Sequence, residues 1–214
     1  EDMDLLLADN FHKAAAAQGV KHIIYIGGVI PDDSEDLSAH LASRLEVEEV
    51  FNRGVVPVTT LRASLVIGPG GSSFQLMKNL IKTLPVMICP QWTQNYCQPI
   101  DIRELNKVIR QEIDQPRETN YVLNVGGPES LTYLNLMKST AEYLKLRRVW
   151  IQVSINGVKL SKWWVSKFSS TAYALVSPLI ESLTHSMVID KGNSNAYFGN
   201  IILRDSLDFA EKEQ

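Results

Sequence analysis

Cysteine is scarce in this sequence. Cys89 and Cys97 are the two thiols among 214 residues, too few for a disulfide framework and at no metal-ligand spacing. A reduced, cytoplasmic compartment is the expectation that follows. Basic clusters are equally wanting: 21 Lys and Arg face 24 Asp and Glu, a formal net charge of -3. The densest group, Lys145, Arg147 and Arg148, reads as the end of a helix, so no nucleic-acid partner is expected. No run approaches the roughly 20 apolar residues that span a bilayer. The stretch from Val158 to Ile180 comes nearest, and Lys159, Lys162 and Lys167 interrupt it. Its Trp163 and Trp164 suit a pocket wall or a membrane surface instead. The opening residues are acidic and lead into an Ala-rich run, which is not the pattern of a secretory leader. His12, His22 and His185 have no partners at ligand spacing and read as structural, so no metal site is expected. A G-x-G-x-x-G turn near the start is also lacking.

What the chain does have is alternation. Apolar positions Leu5, Leu6, Ala8, Phe11, Ala14 and Ala15 recur at helical spacing, and Gly19 stands where a helix would stop. His22 to Ile26 is a short, largely apolar run that suits a buried parallel strand. Ser38 is placed to cap a helix from about Ala39 to Arg53. Val55 to Leu61 reads as a second strand, and Gly68-Pro69-Gly70-Gly71 breaks the chain. Ser72 or Ser73 then caps a helix carrying Phe74, Met77, Leu80 and Ile81. A loop holding Pro85, Pro90 and Trp92 follows, then a short strand around Cys97 to Ile100. Asp101 opens a helix with Leu105, Val108 and Ile109 on one face, and Glu104 is its first-turn acid. Tyr121 to Val125 is another strand, and Leu131-Thr132 opens a helix to about Leu146.

Short apolar strands alternating with longer helices are the signature of βαβ units around a parallel sheet. The run 22–26, apolar on both faces, belongs inside such a sheet rather than at its edge. The expectation is that strands belonging before it are missing from this chain. A missing N-terminal segment, or a second copy, would then pair with the strand 22–26.

The order of several short motifs adds to this reading. Val20-Lys21-His22-Ile23-Ile24-Tyr25-Ile26-Gly27-Gly28 is followed by Arg44-x-x-x-Glu48 and by Gly54-Val55-Val56-Pro57-Val58-Thr59-Thr60-Leu61-Arg62. Ile67-Gly68-Pro69-Gly70, Gln98-Pro99-Ile100-Asp101 and Leu123-Asn124-Val125-Gly126-Gly127-Pro128 continue it. Over about residues 5 to 145 the sequence resembles the extended short-chain dehydrogenases/reductases. Within them it is most similar to the atypical, NmrA-like NAD(P)-binding proteins often labelled nucleoside-diphosphate-sugar epimerases. The resemblance implies a Rossmann-like, doubly wound α/β fold, with residues 1–147 as the later part of the dinucleotide-binding domain. Residues 148–214 would form a small, mostly helical substrate-side extension that returns to the sheet at Ser186 to Ile189. It also implies NAD or NADP as cofactor and a small-molecule substrate.

The resemblance places a catalytic Ser where this chain has Gly27-Gly28, and a Tyr-x-x-x-Lys pair where it has His40 and Arg44. In the family the Lys holds ribose hydroxyls and lowers the Tyr pKa, so that the phenol can move a proton near neutrality. Arg44 retains the capacity to hold ribose hydroxyls, and His40 to act as acid or base. The competing reading of His40 is a surface histidine on a helix after a polar loop. Gly27 and Gly28 would let a nicotinamide ring approach the backbone at the carboxyl end of a parallel strand. Ala63, Ser64, Leu65 and Val66 occupy the family's carboxamide-contacting segment, a packed strand end being the alternative. Gly68 to Ser73 resembles a phosphate loop but lacks the Gly-Lys-Ser/Thr ending, and a plain turn is its commoner use. Two functions stay open: an oxidoreductase or epimerase-like protein with a degenerate triad, and a non-catalytic NAD(P)-binding sensor or assembly factor.

Overall fold

The computed structural model describes residues 2–31, 37–154 and 183–212. The first helix, α1 (Asp2–Ala17), closes on Gly19, whose φ of 69° allows Val20 N–H to reach Ala15 O at 2.9 Å. This left-handed stop is what a glycine one step past a helix provides. β1 (Ile23–Gly28) follows, then α2 (Ala39–Asn52), whose N-terminus is capped by Ser38 Oγ accepting from Leu41 N–H at 3.3 Å. β2 (Val58–Ala63) and the short β3 (Val66–Ile67) lead to α3 (Ser72–Thr83). Gly71 takes the N-cap place there with no side-chain hydrogen bond, so neither Ser72 nor Ser73 caps this helix as the sequence suggested.

Where a loop was expected, β4 (Val86–Cys89) forms, and a 3-10 turn at Gln91–Gln94 follows it. The strand expected around Cys97 to Ile100 is split into β5 (Tyr96–Cys97) and β6 (Ile100–Asp101). Pro99 lies between them and has no N–H to give a ladder. α4 (Ile102–Asp114) starts on Asp101, whose Oδ1 accepts from Arg103 N–H at 2.7 Å. The chain continues through β7 (Tyr121–Gly126), β8 (Leu131–Thr132), α5 (Tyr133–Tyr143), β9 (Val149–Gln152), β10 (Ala196–Phe198) and α6 (Leu203–Lys212).

The main sheet is four-stranded, in the order β1-β2-β7-β10, with all neighbours parallel. Side chains alternate across it as strand geometry requires. On one face Ile23 and Val58 pack with Ala8 and Ala15 of α1 and with Val47 and Phe51 of α2. On the other, Leu61, Ala63 and Val125 pack with Leu105 and Val108 of α4, joined by Ile24. Helices on both faces of a parallel sheet make a Rossmann-like, doubly wound arrangement. A second layer sits beyond it, where Ile81 of α3, Met87 of β4 and Leu134 of α5 share a cluster.

β1 is an edge strand among the described residues, joined to β2 alone, with Ile26 45% exposed. Two placements differ from the sequence reading. The segment 186–189 does not enter the main sheet: Met187 bridges Cys97, and β10 joins β7 instead, Ala196 opposite Asn124. Arg148 does not serve the end of α5; its Nε donates to Ile81 O at 2.7 Å and its Nη2 to Lys82 O at 3.1 Å, closing α3. Of the residues assigned to a helical extension, 155–182, including Trp163 and Trp164, lie outside the described residues. No helix among the described residues is long and apolar enough to cross a membrane.

Candidate functional site

The carboxyl ends of β1 and β2 open onto a cavity of about 320 Å³. Open α/β sheets bind ligands at this end, beyond the carboxyl ends of their strands. Gly27, Gly28, Ala63, Ser64 and Leu65 form its sheet side, and His40 and Arg44 line it from the first two turns of α2. The structure thus brings together, around one space, all but one of the eight positions expected to serve cofactor binding or proton transfer. The exception is Val66, which pairs with Ile100 in the β3–β6 ladder and packs in the α4-side cluster.

Each wall has a local cause. The spacing of four residues between His40 and Arg44 puts both on one side of α2. Glu48, a turn further, is buried against the sheet and receives Arg62 Nε at 3.0 Å and Nη2 at 2.8 Å. Tyr25 Oη donates to Arg44 O at 3.3 Å, a second tie between β1 and α2. Ser43 Oγ donates to Asp4 Oδ2 at 3.0 Å, joining α2 to α1. Ser64 Oγ accepts from Gln98 N–H at 3.3 Å, which holds the loop after β2 beside β5.

Gly28 matters for space. A Cβ there would lie 3.2 Å from Leu41 Cδ2, and Leu41 lines the same cavity. Glycine therefore keeps the floor of the cavity clear beside Leu41. At Gly27 a Cβ would meet the Tyr25 ring at 3.3 Å, a packing demand of the α2 side.

The opposite wall was less legible. α3 contributes Ser73, Leu76, Met77 and Leu80; α5 contributes Tyr133 and Met137; Leu183 and Met187 close it. Trp92 also lines it, its ring edge-on to Tyr133 at 6.3 Å between centroids. The sequence reading placed Trp92 in a loop and left Tyr133 unremarked. Only the apolar stripe of α3 was a usable signal, and a stripe does not tell core from cavity.

The other singled-out groups sit elsewhere. His12 Nε2 accepts from Val56 N–H at 3.2 Å in the α1-side core. Asp101 and Glu104 serve α4, Glu104 accepting from the Tyr197 hydroxyl and from Lys107 Nζ at 3.0 Å. Cys89 and Cys97 are buried and free, and burial pushes their thiols up to about 11 and about 12. Among the described residues no group of His, Cys, Asp or Glu is arranged to hold a metal ion.

No protein-family model and no curated protein matches this sequence. Solved structures do. Triphenylmethane reductase of Citrobacter sp. superposes with a TM-score of 0.71 at 16% identity, over 97% of this chain and 71% of that one. The dTDP-4-dehydrorhamnose reductase of Bacillus anthracis str. Ames, solved in complex with NADP, gives 0.65 at 16%, over 99% and 72%. A UDP-galactose 4-epimerase gives 0.53 at 16%, over 83% and 66%. The chain thus spans about two thirds of the length of that epimerase. The likeness agrees with the sheet order and the two-sided helix packing, and the chain has the Rossmann-like α/β fold of these reductases and this epimerase.

Proposed function

We propose that this chain is the later part of an NAD(P)-dependent oxidoreductase or epimerase-like protein whose Ser/Tyr/Lys triad is degenerate. The observation that supports it is the cavity at the carboxyl ends of β1 and β2, with Gly28 clearing its floor and His40 and Arg44 on its rim. A bound dinucleotide would supply hydride chemistry there. Gly27 and Gly28 would take the ring against backbone, and Ala63, Ser64 and Leu65 would meet its carboxamide. The Arg44 guanidinium would hold ribose hydroxyls. His40 would exchange a proton with a substrate oxygen, which no serine hydroxyl can bond at position 27 or 28. The protein would act in the cytoplasm on a small molecule.

The test is a titration of NADH and NADPH into the protein, followed by nucleotide fluorescence and melting temperature. Binding that Arg44→Met weakens about tenfold is expected, a loss of about 1.4 kcal/mol; no binding of either nucleotide would sink the reading. A second reading, a non-catalytic NAD(P)-binding sensor or assembly factor, draws on the joint loss of the Ser, Tyr and Lys. Turnover of carbonyl and quinone acceptors that disappears in His40→Ala would decide for the enzyme.

The outer edge of β1 is the proposed place for a further strand, from an additional segment or a second copy. Its support is the edge position of β1 together with the exposed Met3, Leu6, Leu7 and Phe11 of α1.

A further inference from the structure

The cavity is lopsided in chemistry. Its wholly polar side chains are His40, Arg44, Ser64 and Ser73, Tyr133 and Trp92 add one hydroxyl and one indole N–H, and Arg44 is the one permanently charged side chain among the described lining residues. The wall built by α3, α5 and the 3-10 turn is apolar over Leu76, Met77, Leu80, Trp92 and Met137. Three of the chain's five methionines, Met77, Met137 and Met187, line this one space. Thioethers are polarizable and unbranched, so they fit themselves to ring edges of varied outline. The edge-on pair Trp92 and Tyr133 adds two aromatic faces, the geometry in which further rings stack well.

A sugar nucleotide would fare badly here. It carries a charged diphosphate and many hydroxyls, and each polar group buried without a partner costs about 1–3 kcal/mol. One guanidinium, one imidazole, two serines and the Trp92 and Tyr133 polar atoms fall short of a diphosphate and a full ring of hydroxyls. The volume of about 320 Å³ also sits at the low end of the roughly 300–1,000 Å³ common for ligand pockets, which suits one or two fused rings.

We infer that the cavity takes an apolar aromatic ligand of one or two fused rings bearing a single carbonyl oxygen. The oxygen faces His40, and the rings lie against Met77, Trp92 and Tyr133. This names the substrate class of the proposed function and rests on that reading for its role, though not for its binding.

The probe is 2-acetylnaphthalene, followed by saturation-transfer NMR, with UDP-glucose as its rival and NADPH fluorescence measured on the same protein. Binding of the aryl ketone and none of UDP-glucose is expected. Met77→Glu, which sets a carboxylate in the apolar wall, should weaken the ketone at least about tenfold. Met77 is half-buried, and Trp92→Ala serves as the second variant if Met77→Glu does not fold. UDP-glucose binding in place of the ketone, or ketone binding indifferent to both variants, would overturn the inference. NADPH binding without ketone binding sinks this inference and spares the cofactor reading; ketone binding without NADPH binding does the reverse.

Discussion

Arg62 grips Glu48 with two parallel hydrogen bonds of 3.0 and 2.8 Å, across the interface between β2 and α2. Glu48 lies one turn beyond Arg44, and Arg62 lies two residues before Ser64. The pair therefore sets the distance between the helix rim of the cavity and its sheet floor. The side chains are 6% and 22% exposed. Breaking such a pair leaves a charge without its partner, at a cost of about 3 kcal/mol. Glu48→Gln should lower the stability measured by urea unfolding by about that much, and Arg62→Met by a comparable amount. A loss below about 1 kcal/mol in both would mean that the pair is no firmer than an exposed one.

Gly54 is fixed by contact. A Cβ there would lie 2.0 Å from the His12 ring, so Gly54→Ala must push out a buried ring that accepts from Val56 N–H. The expected loss is about 2–3 kcal/mol from the broken bond and the displaced ring. Gly19 has the opposite problem, a positive φ with nothing within 4 Å. Gly19→Ala should cost only about 1–2 kcal/mol of backbone strain. Equal losses in the two variants would contradict the contact argument.

Acid should loosen the fold at a site remote from the cavity. The Thr59 hydroxyl donates to Glu112 Oε2 at 2.9 Å, so the contact of 2.9 Å between His22 Nε2 and Thr59 Oγ1 needs the hydrogen on His22. Burial pushes His22 below its ordinary 6.5, against the attraction of Glu112. The hydrogen bonds from Arg117 hold Glu112 below its ordinary 4.5, against burial. Both shifts favour the deprotonated group in the fold, so both contributions are complete above the unfolded pKa and fade as the pH falls. The urea midpoint should drop as the pH is lowered past about 6.5, and again through the carboxylate range. His22→Gln should abolish the first decline and keep the second. A midpoint that rises on acidification would refute this.

The ion pair between Lys78 and Glu211 is lopsided. Lys78 is 1% exposed and Glu211 24%, with Nζ 2.7 Å from Oε1, and Lys82 also reaches Glu211 at 3.4 Å. Glu211→Gln strands a buried ammonium and should cost about 3 kcal/mol. Lys78→Met removes the buried charge, leaves Glu211 with Lys82, and should change stability by about 1 kcal/mol or less. Equal effects in thermal melts would disprove the asymmetry.

The thiols of Cys89 and Cys97 are buried, with pKa values pushed up to about 11 and about 12. Thiolate is the reactive form, so the folded protein should resist dithiobisnitrobenzoate at about pH 8. Both thiols should react once urea unfolds it. Rapid labelling of the native protein would show that one of them is accessible.

Much of this architecture was legible because it is local. Gly19, Ser38 and Asp101 mark helix ends by chemistry that needs no distant partner. The floor and rim of the cavity were legible through the family resemblance that the motif order carries, which groups Gly27, Gly28, His40, Arg44 and Ser64. What escaped depends on remote pairing. β4 is four residues between Pro85 and Pro90 and becomes a strand only because Val149–Gln152 lies alongside it. Met187 and Leu183 join the cavity from the far end of the chain, with no periodic pattern to announce them. The apolar run of β1 describes the faces of a strand and does not by itself name what would lie along its outer edge.

The hydrogen bonds at the amino ends of the strands have one further consequence. His22 with Thr59, and Asn120 reaching both Val58 N–H and Asn52 O, fasten the sheet at the pole farthest from Gly28 and Ser64. The fastening of the sheet and the mouth of the cavity therefore lie at opposite poles, so that a change at His22 or Asn120 and a change at Met77 fall on separate ends of the fold.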